Sequence, residues 1–286
     1  MRSCASSFHK FGLIIEIQFG TGIWCHYDDE MPAKSSKSKK SKSLSPSEKE
    51  LARIVTNDSV DRLTDDIVEC ERCPRLRGYC EAVAREKKKA HRNETYWGRP
   101  IPNFGDPLAK FVIVGLAPAA HGANRTSRMF TGDRSGLWLY RALHKAGFAN
   151  QFSYERADDG LKLINCVITA TAHCAPPDNK PLPDEIDHCR EYLIRTMALH
   201  KPTVVLALGS IAWTALFNEL KRQGAWTGPR PEFGHGVEVK LPDGRVCIAT
   251  YHPSQQNTFT GRLTEPMFDK IFARVRTLMK KKSPKG

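Results

Sequence analysis

Four runs of nearly continuous apolar residues stand at wide spacing along the chain: KFVIVGLA, LINCVITA, TVVLALG and RVCIATY. Each is short, β-branched in character and bounded by turn formers, as a strand covered on both faces must be. Between and after them the apolar positions recur every three to four residues, in SGLWLYRALHKAG, PDEIDHCREYLIRTMALH, SIAWTALFNELKRQ and TEPMFDKIFARVRTLMKKK. That alternation predicts an α/β protein with a four-stranded, mainly parallel sheet flanked by helices. Ligands of such sheets bind in the crevice beyond the carboxyl ends of the strands. The four strands run into GLAPAAHGANRTSRMFTGDRSG, TATAHCAPPDN, GSIAW and YHPSQQNTFTGR, and three of these loops are expected to share one mouth.

Upstream, SEKELARIVTNDSVDRLTDDIVECERC reads as two helical stretches ending at a pair of cysteines. The folded domain is expected to span residues 47–282, followed by a basic tail at 283–286. Residues 1–46 read as a disordered extension, because their Lys/Ser-rich tract cannot bury a core. Met31, just before that tract, is the expected natural start. No stretch approaches the roughly 20 apolar residues of a membrane span, and FGLIIEIQFG lacks a signal-peptide cleavage site. The expectation is a cytoplasmic protein, nucleoid-associated through DNA, with no membrane partner. A formal net charge of +13 over 286 residues points to a polyanion, nucleic acid first.

Nine cysteines in a reducing compartment favour metal binding over disulfides. Cys70 and Cys73 form a C-x2-C pair, and Cys174 and Cys189 bracket a Pro-rich turn. Four thiolates from two distant segments suit either an iron-sulfur cluster or a tetrahedral zinc. Cys166 and Cys247 lie in strand runs and read as core.

The loop sequences GLAPAAHGANRTSRMFTGDRSG, HCAPPDNKPLP and YHPSQQNTFTGRLTEPMF, together with YWGRPIPNFGDP, resemble the family 5, or type B, uracil-DNA glycosylases from about Glu69 to Phe272. The resemblance implies an α/β/α sandwich with the N-terminal helices tied by a [4Fe-4S] cluster on Cys70, Cys73, Cys174 and Cys189, zinc being the alternative. It also implies a DNA repair enzyme, expected to be monofunctional because no motif lysine is placed as an amine nucleophile, and expected as a monomer, which suits a protein that scans DNA. The substrate would be DNA, double- or single-stranded, from which uracil or another deaminated base such as hypoxanthine is excised. A non-catalytic DNA-binding protein stabilised by its metal cage is the alternative reading.

A base inside a duplex is unreachable, so such an enzyme must flip it into a pocket. Cleavage puts negative charge on the departing base and positive charge on the sugar, which calls for a donor to the base and a positioned water. His252 is the expected donor and Asn124 the expected holder of water, while Asp133 suits the cap of the helix that follows. Phe130 is expected to stack on the base, with Asn257 on the nucleotide and the small residues Gly115, Ala117, Pro118 and Ala119 admitting close approach. Arg125, Arg128, Ser254, Gln255 and Arg262 are the expected DNA contacts. Ala170 stands where a distant relative family has Asn to read uracil, which predicts looser base selection. REKKKAHR at 85–92 reads as a charged helix face, solvated or facing phosphate.

Overall fold

The computed structural model describes residues 58–280. The expectations for the N-terminal extension, Met31, the first helical stretch and the basic tail lie outside the described residues.

The four apolar runs form the parallel strands β2 (Phe111–Gly115), β3 (Cys166–Ala170), β4 (Val204–Leu208) and β6 (Val246–Thr250), each buried throughout. The described sheet has six strands rather than four, in the order β1-β3-β2-β4-β6-β5. The additions are short antiparallel edges: β1 (Phe104–Gly105) on β3 and β5 (Glu238–Lys240) on β6. Side chains alternate across a strand, so one strand feeds two cores. Phe111 and Ile113 of β2 pack on one face with α4 (Arg134–Lys145) and α8 (Glu265–Lys280), through Leu139, Leu143, Phe268 and Phe272. Val112 and Val114 pack on the other with α5 (Pro183–His200) and α6 (Ser210–Arg222), through Leu193, Trp213 and Phe217.

The chain leaves β2 toward β3 on one side, then crosses to β4 on the other side of β2. That reversal opens a crevice above the carboxyl ends of the central strands, where an α/β sheet binds its ligand.

Before the sheet come α1 (Val60–Val68) and α2 (Pro74–Glu86). Ser59 caps α1 by accepting from the Arg62 amide, and Pro74 opens α2 at a position where no amide is needed. Cys70 and Cys73 stand in the turn between the two helices. Buried Arg195 of α5 clamps this region, with a fork onto Asp58 at 2.7 and 2.8 Å and a third bond to Asp66 at 2.7 Å. The charged run at 85–92 is not one helix: α2 ends at Glu86, Lys87 takes a φ of 56°, and Lys89–His91 form a single 3-10 turn. Cys166 and Cys247 are core residues, as their apolar surroundings predicted.

Candidate active site

A cavity of about 580 Å³ opens at the crevice, within the size range of small-ligand sites. Its walls come from the loops after β2, β3 and β6, three of the four strand loops. Gly115, Ala117, Pro118 and Ala119 line it, joined by Phe130, Asp133, Ala170, Asn179, His252, Ser254 and Gln255.

His252 follows β6 directly. Its ring lies against that of Phe130, with centroids 6.0 Å apart and planes at 29°. Its ring nitrogens have no hydrogen-bond partner among the described residues, so they are available to a ligand. Burial pushes its pKa down to about 4, which leaves a neutral imidazole at physiological pH. Phe130 holds a φ of 56°, a conformation that side-chain-bearing residues rarely adopt. The packing behind it is close: a Cβ on Gly136 would fall 1.8 Å from the Phe130 carbonyl oxygen. A Cβ on Gly115 would touch the Phe130 ring at 3.4 Å, so the glycine sets how deep the cavity can be.

Asp133 is the carboxylate among the described lining residues. It caps α4 as expected, Oδ1 accepting from the Gly136 amide at 3.0 Å. A Cβ on Gly122 would meet Oδ2 at 2.8 Å, so the second oxygen lies over the glycine-bearing first loop. Burial raises the Asp133 pKa above the ordinary carboxylate value, and the amide bonds from Gly136 and Ser135 offset only part of that. Asn179, with a φ of 55°, was not among the residues singled out from the sequence; its signal was the PPDN turn of the second loop.

Several expected site residues are engaged by the protein itself. Asn124 is fully buried in the one-turn helix α3 (Ala123–Thr126), donating to the Cys80 carbonyl at 3.2 Å, and does not line the cavity. Arg128 is buried, in a fork with Asp159 at 2.8 and 2.7 Å and with its guanidinium over the Phe104 ring. Arg125 is spent on Glu94 and on the His121 carbonyl. Neither arginine is free to hold a DNA phosphate. Asn257 donates to the His252 carbonyl at 2.9 Å, so it braces the loop rather than facing the base cavity. Ser254 caps the short helix α7 (Gln255–Phe259) and Arg262 lies over the Tyr251 ring at 4.6 Å. Exposed Phe259 ends α7 at the rim, with the Arg134 guanidinium 4.8 Å from its ring.

The four cysteines of the expected cage form no disulfide. Cys73, Cys174 and Cys189 are buried and Cys70 is half-buried. They are electrostatic neighbours: burial pushes Cys189 up to about 12, helped by Cys73 and Cys70, and Cys174 is raised by its hydrogen bond to Cys80 and by burial, with a smaller contribution from Cys189. Among the described residues no group of three or more His, Cys, Asp or Glu side chains is placed to hold a metal ion. No helix of the described residues is long and apolar enough to cross a membrane.

A cleft above a reversing parallel sheet, with a neutral histidine against an aromatic ring and a carboxylate in its wall, is suited to holding a nucleobase outside the helix. The family model described as the uracil DNA glycosylase superfamily matches residues 102–276. A type-5 uracil-DNA glycosylase of Mycobacterium bovis is 46% identical over 222 residues, covering 77% of this chain and 82% of its own. The type-5 enzyme of Thermus thermophilus is 45% identical over 210 residues, covering 73% and 93% respectively. A type-4 enzyme of Archaeoglobus fulgidus is more distant, 26% identical over 229 residues that cover 79% of this chain and 96% of its own. The chain belongs to the uracil-DNA glycosylase superfamily and, within it, to the type-5 enzymes.

Proposed function

We infer that the protein is a DNA repair glycosylase that hydrolyses the bond between uracil and deoxyribose and leaves an abasic site. The observation that carries this reading is the pairing of neutral His252 with Phe130 in a cavity that also holds Asp133. Phe130 offers a face to a flipped base, a contact worth about 1–3 kcal/mol in single-strand binders. As the bond between the sugar C1′ and the base breaks, its electron pair passes to the base. An N–H of His252 stabilises that charge without a proton having to move first. Asp133 replaces Asn124 as the holder of water: its carboxylate orients the attacking molecule and offsets positive charge on the sugar. Water oxygen then bonds to C1′, and the proton it sheds leaves through Asp133. No lysine lines the cavity among the described residues, which favours simple hydrolysis over a Schiff base.

This assignment gives a pH profile with a definite sign. The raised Asp133 pKa means that falling pH neutralises it sooner than an ordinary aspartate, so excision falls on the acid side above the usual carboxylate range. Asp133→Asn is expected to lower kcat by about 10²-fold and to abolish that acid limb. A variant with the wild-type limb assigns the titration to another group. Because the amide can still cap α4, the variant's melting temperature controls for folding.

Ala170 lines the cavity wall with a methyl group only, so base selection rests on backbone groups and shape. A missing hydrogen-bonding side chain weakens rejection of related bases. Hypoxanthine is therefore excised along with uracil, checked by alkali cleavage of duplexes carrying each base. No cleavage at hypoxanthine removes this reading while leaving the uracil activity intact.

The four cysteines are proposed to hold a [4Fe-4S] cluster. Their donor set is all thiolate, and the buried thiols need a positive partner in order to ionise. Bound there, the cluster supplies a cross-link between the α1–α2 turn and α5; hydrolysis needs no electron from it.

A further inference from the structure

The base cavity continues into a groove of about 1520 Å³, the two sharing Ala119, Asp133, Arg134, Asn179 and Gln255 in their walls. The groove passes the end of the charged run at 85–92, which the excision site does not use. A hydrogen-bond relay sits on its wall. The Lys88 amide donates to the Tyr96 hydroxyl at 3.4 Å, and that hydroxyl lies 3.2 Å from His121 Nδ1. The Tyr96 O–H can donate to Nδ1, the arrangement in which Nδ1 is the acceptor. Neutral His121 then carries its proton on Nε2, a donor with no partner among the described residues. Tyr96 is buried and its ring meets His121 edge-on at 6.0 Å, so the imidazole is held in place.

The same wall is positively charged. After burial, the charges of Lys88, His91 and Arg125 are what depress His121, so all three act at its ring. Glu94, the acid beside them, is occupied by Arg125 and by His91 at 2.6 Å; Glu155 and Asp158 also line the groove, Asp158 paired with Arg156 at 2.8 Å. Lys88 is exposed, and its ammonium has no hydrogen bond or ion pair within the described residues. An oriented N–H donor beside an unpaired ammonium matches a phosphate oxygen.

We propose that Lys88 and His121 form a subsite for a backbone phosphate of the DNA strand flanking the flipped nucleotide, so that the groove carries that strand away from the excision pocket. This rests on the glycosylase reading, which supplies the polyanion, and adds where it runs. The expected Arg125 and Arg128 contacts are thereby replaced by residues whose donors are free.

The test is fluorescence anisotropy with DNA bearing an uncleavable abasic analogue, titrated across a sodium chloride series. Lys88→Ala is expected to weaken binding several-fold and to reduce the slope of log K against log salt by about one. His121→Ala weakens binding with the slope unchanged, because a neutral donor releases no counterion. Both losses appear in KM for excision. Lys240→Ala removes the same charge from edge strand β5 and keeps the wild-type slope. DNA trimmed on one side of the analogue abolishes the difference between Lys88→Ala and wild type, which marks the side the groove binds. Wild-type affinity and slope in both variants overturn the subsite, and uracil excision by the same preparations shows that the catalytic reading survives. Wild-type protein that neither binds nor excises overturns both.

Discussion

His252→Ala lowers the rate of uracil excision by about 10²–10³-fold, the range seen when one donor to a developing anion is removed. The loss falls on kcat, because the interaction strengthens only as charge reaches the base. Affinity for DNA carrying an abasic analogue stays near wild type, since no base is present to accept the bond. The pH dependence separates this role from that of a proton donor. A histidine with its ordinary pKa would titrate between about pH 5 and 8. His252 is pushed down to about 4, so it stays neutral across that interval and contributes no limb to the profile there. The sign is that of a depressed base: only acid well below neutrality charges the ring. His252→Gln, which keeps an N–H donor, is expected to recover part of the lost rate. Equal activity in His252→Ala and wild type would remove this residue from the chemistry.

Cys189→Ser has the largest expected effect on stability. A cluster on the four cysteines closes a loop of roughly 100 residues between the α1–α2 turn and α5. By the chain-entropy argument such a cross-link is worth about 4–5 kcal/mol. In a domain of this size each kcal/mol moves the melting temperature by roughly 2–4 °C, so a drop of about 10 °C or more follows. The variant also loses the visible absorbance and the iron and sulfide content of anaerobically prepared protein. Cys247→Ser, a core cysteine away from the cage, keeps the iron. Wild-type protein that contains zinc and no iron replaces the cluster with the alternative centre, and protein with neither removes the cage. The Arg195 clamp on Asp58 and Asp66 still holds α1 to α5 when the cluster is gone, so the variant is expected to loosen rather than unfold entirely.

The central strands were legible because burial on both faces leaves a continuous apolar run. The edges were not: β1 has two residues, and β5 presents an exposed, half-buried, exposed pattern that resembles any surface segment. Their structure is set by the neighbouring ladder, which sequence periodicity does not contain. At the site, His252 and Phe130 stood out as motif residues, but Asn124, expected to hold water, is buried away from the cavity, and Asp133, expected only to cap a helix, lines it. Which side of a one-turn helix faces the cavity depends on α2, where Asn124 finds the Cys80 carbonyl. Asp133 carried a clear capping signal, and that local role concealed its second oxygen. Arg125 and Arg128 read as phosphate contacts because their acidic partners, Glu94 and Asp159, each lie 31 residues away. Charge along the sequence does not reveal which side chains are already paired within the fold.

The most direct test places a single uracil in a duplex and treats it with wild-type protein, His252→Ala and Asp133→Asn before alkali. The account predicts free uracil and strand cuts that appear only after alkali with wild type, and a large loss in both variants. Uracil left in place by a folded, DNA-binding wild type would contradict it and favour a protein that binds DNA without cutting a base from it.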